Sequence, residues 1–393
     1  MVRVYNQNIF YIYDTINILT LRRKKQMKAL LIGVGAAGNK AVVTAVENGA
    51  VAVEDSIIVN STSKDFPKEY NGTKIVLSGT DTGCGKERSI SKMYVKKAIA
   101  DGRFNFNEKM QNYSTVIIAT SVEGGTGSGA APTLAKFFNK VYTKNVHIIA
   151  FTGFEDDTRG LANTVDFFKE IDAAIVVQTI SNASYYTAAG KNKMKAEEMA
   201  NKEMATRINI ILGNGFIEGS QNIDDTDINK LSNTSGYMTV EKKVFNKSLE
   251  TRDDFEKIIK NMIYNSASIN SVNPSATRIG VILNINPASE DAIDYSFASL
   301  KQAYGNPFEL YTQIQWDEKD EYIAYIVSGM KMPIDEVTNI YNRYVEQSSK
   351  INRNGDSFFT EMESLGTLEE DDKFNMIKEV NTGMSVSDFL NDI

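Results

Sequence analysis

The strongest constraint in this chain is an alternation, from Met27 onward, of short continuously apolar runs with amphipathic helical stretches. The runs at residues 29–32, 56–59, 75–77, 116–119, 147–150 and 174–177 are mostly β-branched. Such runs fit strands buried on both faces of a parallel sheet. Helical patterns at 39–47, 87–100 and 130–138 lie between several of them, which predicts an α/β fold built on a doubly wound parallel sheet. A long central helix is expected over 197–212, with Met199, Met204, Ile208, Ile211 and Leu212 on its apolar stripe. Beyond it a smaller α+β region is expected, with a helix at 253–264, a strand at 279–284, a helix near 291–304 and strands at 310–316 and 321–327. The organisation read from these patterns is an appended extension at 1–26, a first domain at 27–195, a central helix and loop at 196–239, an α+β domain at 240–352 and an acidic mobile tail at 353–393.

Composition narrows the chemistry. One cysteine (Cys84) and one histidine (His147) exclude a disulfide framework, a Cys/His zinc site and any triad needing a second imidazole. A net charge of −7 argues against general coating of nucleic acid. No apolar run reaches the roughly 20 residues that a membrane helix requires. In the segment 9–21 Asp14 and Asn17 interrupt the run, and the basic cluster Arg22-Arg-Lys-Lys25 follows it where a secretory signal would have it first. A cytoplasmic location is expected, without direct membrane insertion.

Two loops carry the chemistry. The first strand runs into Gly33-Val-Gly35-Ala-Ala-Gly38, where amide N–H groups and a helix N-terminus can meet an anion. Alone, this is the fingerprint of a nicotinamide or flavin enzyme. Such an enzyme usually wants an acid at the end of the second strand, and Asn60 stands there. The fourth strand ends in Glu123-Gly-Gly-Thr-Gly-Ser-Gly129, with four glycines and two hydroxyls in its last six residues: a second phosphate cradle in one sheet. It is not a Walker loop, because no Gly-Lys-Ser/Thr occurs.

The stretch Gly124, Gly125, Thr126, Gly127, Ser128 and Gly129 resembles the signature loop of the tubulin/FtsZ superfamily, and Ala-Ala-Pro132 continues it in the FtsZ manner. Gly35, Ala36, Ala37, Gly38 and Asn39 resemble that family's first nucleotide loop, with Ala36 and Ala37 in place of glycines. Glu155 and Arg159 resemble the acidic and basic pair that flanks the nucleotide. Asn182 and Asn201 stand where the family reads the guanine edge. Asn222-Ile-Asp224-Asp-Thr-Asp227 resembles the loop that completes a neighbouring subunit's active site. The resemblance implies a GTPase that binds GTP/GDP with Mg²⁺ and polymerises head to tail with itself, 27–195 being the nucleotide-binding domain. Asp224, Asp227 and Asn222 would be its catalytic residues. The lack of a Pro-rich linker and the departures in loop 80–86 resemble the divergent TubZ and phage tubulin-like proteins, implying DNA segregation through a DNA-bound adaptor protein.

Asp224 and Asp227, one helical turn apart, suit either the activation of water or the capping of a helix. They follow the long helix and so lie away from the glycine loops, which places them over a neighbour's nucleotide in a head-to-tail stack. Three other readings stay open at this point: an FtsZ-like cell-division GTPase, a nicotinamide or flavin oxidoreductase using Gly33–Gly38, and a nucleotide-gated scaffold without hydrolysis.

Overall fold

The computed structural model describes residues 27–154, 157–245, 249–269, 272–317, 320–352 and 384–392. The extension at 1–26 and most of the tail, 353–383, lie outside the described residues.

Six parallel strands form the first half of the sheet: β1 (Ala29–Val34), β2 (Ser56–Asn60), β3 (Thr73–Val76), β4 (Thr115–Ser121), β5 (Asn145–Thr152) and β6 (Val176–Ser181). Their order is β3-β2-β1-β4-β5-β6. Because side chains alternate across a strand, β1 feeds two cores at once. Leu30, Ile32 and Val34 join the cluster under α2 (Arg88–Ala100) and α3 (Gly125–Lys140). Ala29 and Leu31 face α1 (Gly35–Glu47) and the central helix. The order reverses between β1 and β4, so the loops leaving these two strands flank the crevice where such sheets bind ligands. The run expected as a strand at 174–177 pairs instead from Val176, because its first residues form the turn out of α4 (Thr158–Lys169).

The short helix α5 (Asn182–Tyr186) and the central helix α6 (Lys193–Ile211) follow β6. Ala196, Ala200, Met204, Ala205, Ile208 and Ile211 form the buried stripe of α6; Met199, expected there, is exposed. Arg207 on the same helix is wholly buried. Its guanidinium donates to Glu203 (2.9 Å), Glu241 (3.0 Å), the Thr179 carbonyl (2.9 Å) and Ser268 (3.4 Å).

The second half follows through α7 (Asp225–Ser232), β7 (Gly236–Phe245), α8 (Arg252–Tyr264), β8 (Arg278–Asn284), α9 (Ala298–Tyr304), β9 (Glu309–Gln315), β10 (Glu321–Met330) and α10 (Ile334–Asn352). The expected boundary at 240 falls inside β7, which pairs with β6 at Val176–Gly236 and Val177–Tyr237 and so joins both halves into one ten-stranded sheet. The helix expected over 291–304 begins only at Ala298, after a 3₁₀ turn at Pro287–Ala292. Helix α10 crosses back to α4, packing Ile340 and Tyr344 on Leu161 and Val165. A last helix, α11 (Val386–Asp392), folds against the first domain with Phe389 fully buried, so this part of the expected mobile tail is docked. The acidic composition that suggested a loose tail says nothing of one aromatic anchor.

His147, the sole histidine, is buried on β5; its Nε2 lies 3.0 Å from Asn233 Oδ1, and burial lowers its pKa to about 4. An unfolded imidazole takes up its proton near pH 6.5, whereas the folded one stays neutral to about 4. Stability is therefore lost as pH falls from 7.5 toward 4, by about 2 kcal/mol at pH 5 from this group. Burial holds the Glu241 carboxyl above its usual range, which acts in the opposite sense. Denaturant unfolding of wild type and His147→Gln at both pH values isolates the imidazole: the variant lacks that loss, whatever its stability offset.

Candidate active site

Helix α1 starts directly after β1, with Gly35 at φ +78°. No side chain caps this helix and no acid lies in its first turn. The same holds for α3, which starts at Gly125 after β4. By contrast, Asp157, Asn192, Asp224 and Thr251 cap α4, α6, α7 and α8. The helices α2, α5 and α9 also lack a side-chain cap, but it is the ends of α1 and α3 that converge: a Cβ built on Gly35 would stand 3.1 Å from Gly127 N. Each helix end carries about half a positive charge and free N–H groups, so together they make an anion cradle.

The glycines differ in purpose. A Cβ on Gly38 would strike the Ala119 carbonyl, and one on Gly127 would meet Thr120 and lie 2.8 Å from the Ser121 carbonyl, so both permit close packing on β4. Gly124 faces open space and leaves room at the mouth. The Thr126 hydroxyl lies 2.9 Å from that of Ser61, and Ser128 donates to the Gly124 carbonyl. Ala36 is exposed and Ala37 half-buried at the cleft. Asn39 is wholly buried: its oxygen accepts from Val59 N–H at 3.2 Å, which pins α1 to β2 and leaves it out of the cleft lining. Asn60 is also turned inward and accepts from Ser61 N–H at 2.8 Å, a position from which it cannot serve a cofactor ribose as a dinucleotide enzyme requires.

Loop 79–87 closes one side. The Lys86 backbone abuts Gly125, its ammonium pairs with Asp157, and Arg159 pairs with Glu87. Arg159 thus stands at this rim, tied to the loop; Glu155 lies outside the described residues. Asn163, buried, donates to the carbonyls of Lys86 (3.1 Å) and Glu123 (3.0 Å), which fixes the rim to the signature loop.

The opposite side is a cleft where Ala37, Lys40, Glu123, Phe154, Asn182, Glu197 and Asn201 meet. Asn182 opens α5 at the end of β6, while Glu197 and Asn201 share one face of α6 by their spacing of four. Phe154 forms an apolar wall, edge-on to Tyr186 at 5.6 Å with the Lys193 ammonium 5.0 Å from its ring centroid. Amide and carboxylate oxygens here can accept from the N–H donors of a guanine edge, which adenine lacks at its ring N1. Lys40, Phe154 and Glu197 escaped the sequence reading, and Glu123 entered it only as the residue that opens the second glycine stretch. Glu197 left a signal there in its position one turn before Asn201.

Asp224, Asp227 and Asn222 lie elsewhere, beyond the far end of α6. Ten residues separate Asn201 from the last residue of α6, about 15 Å of helix. Asp224 caps α7, accepting from Thr226 N–H (2.7 Å) and Asp227 N–H (2.8 Å). Asn222 is bonded to Gly219 through both amide atoms at 3.0 Å. Asp227 is half-buried one turn on. Among the described residues no group of three or more His, Cys, Asp or Glu is placed to hold a metal ion, and no helix is long and apolar enough to cross a membrane.

A doubly wound sheet with two converging glycine-rich helix ends and a polar cleft beside them is an arrangement suited to a phosphate-bearing ligand. Residues 28–189 match the Tubulin/FtsZ family, GTPase domain. The tubulin-like protein CetZ1 of Haloferax volcanii is 24% identical over 230 residues, 53% of this chain and 56% of that protein, so the match spans little more than half of its length. The fold is similar to the GTPγS-bound protofilament of CetZ2 from Haloferax volcanii, with TM-score 0.66 and 16% identity over 82% of this chain and all (100%) of that one. It is similar to tail-truncated TubZ of Clostridium botulinum phage c-st, with TM-score 0.64 and 18% identity over 82% of this chain and 98% of that one. The expected α/β tubulin/FtsZ-like fold is therefore present.

The glycine geometry separates two variants. Gly124→Asp, with open space for its Cβ, adds a negative charge to the cradle and should lower GTP affinity at least about 100-fold with melting temperature within about 3 °C of wild type. Gly127→Ala should instead lower the melting temperature by several degrees, since the methyl must displace β4. Calorimetric titration and thermal melts check both.

Proposed function

We propose that this protein binds GTP across the two cradles, polymerises head to tail, and hydrolyses GTP only where a neighbouring subunit completes the site. The observation that carries this reading is a separation: the anion cradle lies at one end of α6 and the Asp224–Asp227 loop at the other. No carboxylate of that loop can reach its own subunit's phosphates. Translation along the axis of α6 brings the loop of one copy over the cradle of the next, a heterologous contact that propagates as a filament. CetZ2, similar in fold, is known as a GTPγS-bound protofilament.

Backbone N–H groups of Gly35–Gly38 and Gly124–Gly129 hold the phosphates, and Asn182, Asn201 and Glu197 read the base. Arg159 flanks the ribose and phosphates; Asn39 acts at one remove by holding the first loop. Mg²⁺, held through phosphate oxygens and water, would neutralise part of the triphosphate charge when bound. Asp227 is the residue assigned to orient or deprotonate the attacking water, because the Asp224 carboxylate is already engaged in capping α7. Asn222 shapes the loop. The setting proposed is cytoplasmic. The TubZ-like role, positioning plasmid or phage DNA through a DNA-bound adaptor, is the cargo reading supported by the loop departures, and tracking of labelled plasmids in cells carrying or lacking the gene tests it.

Asp227→Ala should bind GTP and assemble normally while turnover falls about 100-fold or more. Asp224→Ala also removes a helix cap, at about 1 kcal/mol, so Asp227 is the cleaner probe. Wild-type turnover per subunit should rise steeply above a critical concentration and be poisoned by added Asp227→Ala subunits. Activity independent of concentration, without poisoning, would place the whole site within one chain.

A further inference from the structure

We infer that the groove between α2 and α3 is a docking site for a short amphipathic helix, and that α11 of this chain is its displaceable occupant. The groove has an aromatic floor. Phe137 stands with its ring centroid 5.4 Å from Phe138 and from Tyr142, and 6.4 Å from Phe104. Phe389 of α11 inserts edge-on to Phe137 at 5.5 Å and is 0% exposed. Met384 and Leu390, partly buried, pack beside it. The arrangement is that of a helix-in-groove ligand with one aromatic anchor.

Polar contacts fix the register of the helix and hold it only weakly. The Met384 N–H donates to the Lys140 carbonyl at 2.9 Å, at the last turn of α3. The Lys140 ammonium meets Asp392 at 3.2 Å, a pair left 30% and 55% exposed, which makes it a selective contact and a weak one. The helix is also prepared on its own: Ser385 accepts from Asp388 N–H at 3.1 Å, capping the first turn. Seven residues are too few for a stable isolated helix, so order and docking arrive together. Helix α10, the other element that returns to the first domain, lays Ile340 and Tyr344 into a cluster with Leu161 and Val165, while α11 relies on one fully buried side chain. A single anchor, one backbone bond and a rim ion pair describe a contact that can open without unfolding the domain beneath it.

This inference does not depend on the nucleotide reading and is tested without nucleotide. A labelled peptide of residues 384–393 is titrated by fluorescence anisotropy into the full chain and into its Phe389→Asp variant, whose groove is vacated. The peptide should bind the variant at least about 10-fold more tightly than wild type, should lose that binding when its own Phe389 is alanine, and should bind less tightly when Lys140→Glu is added. No binding to the variant, or equal binding to both, overturns the proposal. Hydrogen exchange on the wild-type chain guards against a misfolded variant. The Phe389 amide, which donates to the Ser385 carbonyl, should exchange at least about 10-fold faster than amides in the middle of α3. Equal rates would make α11 a fixed part of the core.

Discussion

Two helix N-termini, each lacking a side-chain cap and an acid in its first turn, meet where a Cβ on Gly35 would come within 3.1 Å of Gly127 N. The nucleotide reading depends on this convergence. Adjacent parallel strands make it possible: β1 and β4 pair in register from Ala29–Thr115 to Val34–Thr120, so their loops leave the sheet side by side. Four other helices take their caps from side chains of this chain. Three more, α2, α5 and α9, have no such cap either, but only α1 and α3 among the uncapped bring their orphan amides together at the ends of adjacent strands.

Helix α6 spans the distance between that local site and the Asp224 loop. It lines the base cleft near its start, carries the Asp224 loop beyond its end, and is set in place by a buried guanidinium. Arg207 reaches the β6 backbone through Thr179 and β7 through Glu241 while holding Glu203 on its own helix. A buried charge stripped of a partner is heavily penalised, so the cluster resists rotation or sliding of α6. The same network spans the narrow seam where β6 and β7 pair through two residues each. Helix α10 adds an apolar strap across the two halves.

Much was legible because it is local. Runs of β-branched residues fix strands, and glycines between a strand and a helix fix a turn; the sheet and the two glycine loops rest on such patterns, whereas Asn182 and Asn201 were singled out only through the family resemblance. The errors share one cause. Met199 matched the apolar stripe by composition, yet Ala196 and Ala200 are small enough to let α1 and the sheet approach, and they take the buried face. The boundary placed at 240 missed strand pairing between residues about sixty apart in sequence. The tail looked loose because acidic residues outnumber apolar ones, and Phe389 alone reverses that locally.

By itself the sequence determined an α/β sheet, two glycine-rich loops between strand and helix and an acidic loop downstream of a long helix, since each is written in residue type and short-range spacing. Tertiary structure decided which glycines stand at the open mouth and which touch only β4, and that Asn39 and Asn60 face inward while Glu123 and Glu197 line the cleft. It also decided that Asp224 is engaged as a cap and that α11 finds an aromatic groove 252 residues away in the chain, measured from Lys140 to Asp392. These outcomes depend on which surfaces the sheet brings into contact, and spacing along one strand or one helix carries no record of a partner that distant.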